Sequence, residues 1–197
     1  MSIYTGQIWS YFVDKIGNPY GVAALMGNLE AESGLQPDRV QGDIPYSDYS
    51  VLYTINVDTG VISEYDFVYN APNGGGYGLA QWTYPTRKQA LYNMYKSGGY
   101  SSIGSIDLAL DYLWHELQTT FTDVLDVLTN AENIRDASDY VLHNFENPKD
   151  QSTAVEEQRY SLSYAIYVEM TGENPPYFPD LPIKKLFRLP KLLLFEG

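Results

Sequence analysis

Glu30 and Glu32 close an apolar stretch, Met26-Gly27-Asn28-Leu29-Glu30-Ala31-Glu32-Ser33-Gly34, and further on a glycine-rich aromatic segment, Gly76-Tyr77-Gly78-Leu79-Ala80-Gln81-Trp82, carries one amide. A carboxyl group at a helix end, beside an amide and flat aromatic rings, is equipped to cleave a glycosidic bond. That reaction delivers a proton to the leaving oxygen while positive charge develops on the sugar ring, so the acid must keep its proton near neutral pH. An ordinary glutamate, with a pKa of about 4.3, does not. The last turn of a helix favours the protonated form, because the carbonyl end of the dipole opposes negative charge, and flanking apolar side chains limit hydration. Glu30 and Glu32 differ by about 200° around a helix, so they point to different sides and only one can be the acid. Glu32, nearer the end, is the stronger candidate.

The elements that must hold these groups follow from periodicity. Ile8, Trp9, Phe12, Val13 and Ile16 predict a helix from Gln7 to Ile16, stopped by Gly17-Asn18-Pro19. A second runs from Tyr20 to Glu32, with Val22, Leu25, Met26 and Leu29 on one stripe and Gly34 placed to close it. Between residues 38 and 76, Tyr49, Val51, Tyr53, Ile55 and Val57 alternate, Asp58-Thr59-Gly60 supplies a turn, and Val61 to Val68 returns with β-branched and aromatic residues. This pattern predicts a small β-hairpin, followed by a loop over Asn70–Gly76. Helices are expected again over Thr86–Lys96, Ile106–Phe121, Val124–Leu128, Ile134–Phe145 and Val155–Met170. Of these, Ile106–Phe121 has the clearest amphipathic pattern and is expected to be a central core helix. The fold class expected is α+β and mostly α: one domain over 1–172 with a small β insertion, then an extended C-terminal tail over 173–197.

That tail begins with Asn174-Pro175-Pro176-Tyr177-Phe178-Pro179 and continues from Leu181 to Gly197 as an apolar segment with Lys184, Lys185, Arg188 and Lys191. It reads as a tether or a piece of a neighbouring segment, or else as a docking peptide for a partner protein. A membrane-surface role is weaker, because Pro190 interrupts the helix it would need.

Composition narrows the chemistry. Twelve cations against 25 acids give a net charge of −13, which argues against nucleic acid as a partner, since that binding rests on neutralising phosphates. Cysteine is absent, and His115 and His143 lack a metal-ligand spacing, so neither metal nor cofactor is expected. No signal peptide is read at the start, and no apolar stretch is long enough for stable membrane insertion. The 19 tyrosines, beside three tryptophans and seven phenylalanines, offer apolar faces with polar rims that suit sugar rings.

Glu32-Ser33-Gly34 closing a helix, then Gly76-Tyr77-Gly78-Leu79-Ala80-Gln81-Trp82-Thr83, resembles the phage tail lysozyme family, whose fold is lysozyme-like and related to that of lytic transglycosylases. The resemblance extends from about Ile8 to Tyr167 and takes in Arg87-Lys88-Gln89-Ala90-Leu91, Trp114-His115-Glu116-Leu117, Phe145-Glu146-Asn147-Pro148 and Arg159. It implies Glu32 as general acid, Gln81, Tyr77 and Trp82 on the wall of a saccharide groove, and Gly78 letting the backbone approach the substrate. Phe145 and Glu146 are read as securing a helix end, with Arg159 pairing Glu146. A second carboxylate, as a hydrolase usually has, is available in Asp58, Glu64 and Asp66, with Asp66 ranked ahead of Asp58, which belongs to the predicted hairpin turn. The family tends to carry an acid just before its GYGLAQW-like segment, where this chain has Asn70 and a longer Gly74-Gly75-Gly76 loop. That departure leaves hydrolysis and transglycosylation both open.

The implied activity is cleavage of peptidoglycan glycan strands between N-acetylmuramic acid and N-acetylglucosamine. The implied setting is a phage virion, in its tail or inner core, with other virion proteins as partners through the C-terminal tail. A structural tail component without activity, an endolysin and a carbohydrate-binding module are the competing readings.

Overall fold

The computed structural model describes residues 2–175, and among these described residues there are nine α-helices. They are α1 Thr5–Ile16, α2 Pro19–Ser33, α3 Asp48–Asp58, α4 Glu64–Tyr69, α5 Pro85–Gly98, α6 Ile106–Thr119, α7 Thr122–Thr129, α8 Ile134–Val141 and α9 Thr153–Thr171. A 3₁₀ turn spans Pro72–Gly74, and a π-helical turn, Leu142–Glu146, extends α8. The tail expected over 173–197 lies, from residue 176 on, outside the described residues. No described helix is long and apolar enough to cross a membrane.

Helix α6 buries the apolar face its pattern predicts, with Leu108, Leu110, Leu113 and Leu117 in the core, and α2 is more enclosed still. Every residue of α2 from Gly21 to Leu29 is buried, and α1, α7, α8 and α9 all pack against it. A helix covered on all sides has no polar face, so its hydrophobic pattern carries little periodic signal. Asn18 caps its start by accepting from the Tyr20 N–H at 3.0 Å, with Pro19 in the first turn. Two glycines let neighbours come close. A Cβ at Gly21 would lie 2.0 Å from the Leu128 carbonyl oxygen, and one at Gly27 would lie 2.4 Å from the Ser163 backbone nitrogen. Gly34, at φ 64°, ends the helix by donating its N–H to the Glu30 carbonyl at 2.8 Å.

The β-hairpin expected between Tyr49 and Val68 is absent; the segment forms α3 and α4 instead. Ser50, Tyr53, Thr54 and Val57 are the buried positions of α3, a helical spacing in which two members are polar and therefore invisible to a hydrophobicity reading. Both find partners in the interior: Ser50 Oγ donates to Asp43 Oδ2 at 2.6 Å, and the Thr54 and Tyr77 hydroxyls lie 2.7 Å apart. Of the alternating residues that suggest a strand, Tyr49, Val51 and Ile55 lie on the exposed side, while Tyr53 and Val57 are buried. Ser47 and Ser63 cap the two helices, and Asp58-Thr59-Gly60 is the end of α3 rather than a hairpin turn. Among the described residues, β structure is limited to isolated bridges of Tyr77 with Val40 and with Trp82.

Lys88 of α5 is fully buried. Its Nζ has no hydrogen-bond partner among the described residues and sits 4.6 Å from the centre of the Phe67 ring. Burial lowers its pKa from 10.5 to about 8. Below pH 8 the lysine is charged in both folded and unfolded chains, and the cost of burying that charge is fully present. The cost fades as pH rises from 8 toward 10.5, where only the unfolded form still binds the proton. Lys88→Met should therefore stabilise the protein by about 1–3 kcal/mol at pH 7. In chemical denaturation at a series of pH values, that advantage should shrink above pH 8 and vanish only above about pH 10.5.

Candidate active site

Glu32 lies in the last turn of α2, where the helix emerges from the core, and a quarter of its side-chain surface stays open. The groups it meets come from the far end of the chain. Arg159 of α9 donates from Nη2 to Glu32 Oε1 at 2.6 Å. The same guanidinium places Nε 3.5 Å from Oε2 of Glu146, whose side chain is only 4% exposed. Helix α9 runs alongside α2, and the π-helical turn Leu142–Glu146, closed by Asn147 at φ 47°, delivers Glu146 to the same place. Glu146 has both oxygens buried, without a hydrogen-bond partner among the described residues. Burial foremost, and then the facing Glu32 carboxylate, hold its carboxyl well above the usual carboxylate range, against the pull of Arg159. The pairing of Arg159 with Glu146 agrees with the sequence expectation. Its hold on Glu32 was not foreseen.

Glu30 points elsewhere. Its Oε2 is buried without a partner among the described residues, and burial raises its pKa despite the opposing charge of Arg39.

The segment from Tyr77 to Trp82 doubles back on itself. Trp82 N–H donates to the Tyr77 carbonyl at 2.9 Å, and Gln81 N–H to that of Gly78 at 3.2 Å. Arg39 ties this turn to the end of α2. Its carbonyl accepts from the Gly78 N–H at 2.8 Å and from Gln81 Nε2 at 3.0 Å, and its Nη1 donates to the Ser33 carbonyl at 3.0 Å. Gln81, at φ 44°, also donates Nε2 to the Gly78 carbonyl at 3.0 Å. Both amide hydrogens are thus engaged, and Oε1 accepts no hydrogen bond among the described residues.

Tyr77 and Trp82 do not line a groove. They are 1% and 0% exposed, the first packed edge-on against Phe67 and the second against Tyr112. A tight turn needs its flanking side chains inside, and these are large apolar ones. Gly78 likewise serves the turn: at φ 78°, a Cβ would meet the Trp82 ring at 2.9 Å and the Pro37 carbonyl oxygen at 3.1 Å. The close neighbour is the protein's own indole, not a substrate.

The carboxylates expected to face Glu32 have other partners. Asp66 is the N-terminal lock of α4, accepting from Ser63 Oγ at 2.7 Å and Asn70 Nδ2 at 2.9 Å, and these bonds lower its pKa. Asp58 accepts from Ser102 Oγ at 2.6 Å and the Ile103 N–H at 2.8 Å. Glu64 accepts from Gln89 at 2.6 Å. No hydrogen bond or ion pair joins any of the three to Glu32.

A buried network connects the Gln81 turn to the acid pair. Glu116 of α6 accepts from Trp82 Nε1 at 2.8 Å and, in a fork, from Arg87 Nε at 2.6 Å and Nη2 at 2.7 Å. The Arg87 guanidinium lies 5.0 Å from the centre of the Phe145 ring, the residue before Glu146. His143, in the same turn, is bound at its two ring nitrogens to Gln151 and Glu156, each at 3.0 Å.

A family model described as phage tail lysozyme matches residues 5–170. No curated protein and no solved structure matches the chain.

Proposed function

The chain belongs to the phage tail lysozyme family, whose members are lysozyme-like peptidoglycan hydrolases of phage, and on that premise we propose that it cleaves the β-1,4 bond between N-acetylmuramic acid and N-acetylglucosamine with Glu32 as general acid. The observation that carries this reading is Glu32 itself, partly open at a helix end while the Arg159 guanidinium binds it. When Glu32 passes its proton to the leaving oxygen it becomes an anion, and Arg159 is already in place to stabilise that anion. Gln81 Oε1 is an acceptor suited to the N–H of an acetamido group. In this reading the enzyme travels in the phage virion, in its tail or inner core, and opens the host wall during genome entry.

Transglycosylation is a second reading, favoured by the engagement of Asp66 in capping α4. With no carboxylate opposite the acid, the muramic acid hydroxyl would attack internally and leave a 1,6-anhydro end. Mass spectrometry of sugars released from purified peptidoglycan tests both. Reducing ends report hydrolysis and anhydro ends report internal attack. Release of peptides from intact glycan strands, or binding without any release, overturns the glycosidase assignment; binding alone would instead fit an inactive structural tail component. Release of glycan fragments would not by itself separate a virion enzyme from an endolysin. Detection of the protein in purified virions does.

A further inference from the structure

Two carboxyl groups from distant parts of the chain share one guanidinium at the end of α2, and the deeper of them has no part in the reaction as described so far. We propose that Glu146 is a positioning residue that stores the proton Glu32 delivers, the two carboxyls sharing one proton beneath Arg159. The inference rests on the assignment of Glu32 as acid and adds the source of its proton.

Geometry carries the argument. Glu146 is 4% exposed, so water cannot solvate its charge. Arg159 offers it only an ion-pair contact at 3.5 Å, while giving its short hydrogen bond, 2.6 Å, to Glu32. One cation cannot neutralise two adjoining carboxylates in a water-poor site, so the pair gives up its last proton at a higher pH than a solvated carboxylate does. That proton also gives one of the two orphaned oxygens of Glu146 a partner, since a carboxyl can donate to a facing carboxylate whereas two carboxylates only repel. The charged groups facing Glu146 are Glu32 from α2 and Arg159 from α9. His143 in its own turn is paired with Glu156, and on α8 Arg135 is paired with Asp139 and Glu157. The desolvation that pushes Glu146 upward is consistent with its holding the resting proton.

The step balances. On sugar binding the proton moves from Glu146 to Glu32 and then to the glycosidic oxygen as the C–O bond breaks. The proton released by the attacking water or sugar hydroxyl restores the pair.

Glu146→Gln keeps the shape but cannot hold a titrating proton, so Glu32 is left with Arg159 alone. The rate of muropeptide release should then lose its alkaline side early. Relative to wild type, the upper limb of the pH profile should move down by one pH unit or more, while the rate at the acidic plateau stays within about tenfold. An unmoved upper limb, or a loss equal at every pH, overturns the proposal and marks Glu146 as structural. Infrared titration of the wild-type protein gives a check that does not depend on the variant folding. A protonated carboxyl signal should persist at pH 7, and its absence also overturns the proposal. Neither failure touches Glu32, whose own substitution is read separately.

Discussion

Glu116→Ala is expected to destabilise the protein by about 3–5 kcal/mol, lowering its melting temperature by roughly 6–15 °C. Glu116 is almost completely buried and serves two partners at once, the indole N–H of Trp82 and the guanidinium fork of Arg87. Removing the carboxylate leaves a largely covered cation, its side chain 19% exposed, without its counter-charge and a buried donor without an acceptor, and each loss is costly. Glu116→Gln should fall between wild type and alanine, because its amide oxygen can still accept from Trp82 or Arg87 but without charge. The damage should also reach the site, since Arg87 packs over Phe145 beside Glu146. Thermal and chemical denaturation of the two variants, read beside wild type, measure the effect. A shift below about 1 kcal/mol for the alanine variant would mean that the network contributes little to the fold.

The same network explains what could be read from the residues alone. Glu32-Ser33-Gly34 was legible because its meaning is local: a helix end, a left-handed glycine and an acid in the last turn. Gln81 stands out in sequence as the one amide in a glycine-rich segment, and in the fold its Nε2 braces the turn on the Arg39 and Gly78 carbonyls. Trp82 and Tyr77 were misplaced because an aromatic residue beside a candidate site looks the same in sequence whether it faces a sugar or fills the core. Only the bonds of Trp82 to Glu116 and of Tyr77 to Thr54 decide the matter. Arg159 and Glu146 could be paired by charge, but that Arg159 also reaches back across the chain to Glu32 depends on how α9 packs along α2, a tertiary fact without a sequence period. The missed helices α3 and α4 have a different origin. Their interior positions include serine and threonine, while Tyr49, Val51 and Ile55 face outward, so both the hydrophobic pattern and the β-propensity pointed the wrong way. The serine caps at Ser47 and Ser63 were the signal that could have corrected it.

The largest effect belongs to Glu32. Glu32→Gln preserves the size of the side chain and an acceptor for the Arg159 hydrogen bond, so the fold should survive. It cannot deliver a proton, and loss of a general acid lowers rates on the order of 10²-fold or more. Glu30 is the natural comparison: it lies in the same helix, burial raises its pKa, and Arg159 does not bind it. If the acid is the residue bound by Arg159, the two substitutions must separate.

The most direct measurement is therefore the initial rate of muropeptide release from purified peptidoglycan by wild type, Glu32→Gln and Glu30→Gln, each shown by melting temperature to be folded. We predict a drop of about 10²-fold or more for Glu32→Gln, with Glu30→Gln within a few-fold of wild type. Wild-type release by Glu32→Gln would contradict the account, and a collapse confined to Glu30→Gln would move the proton to the other carboxylate.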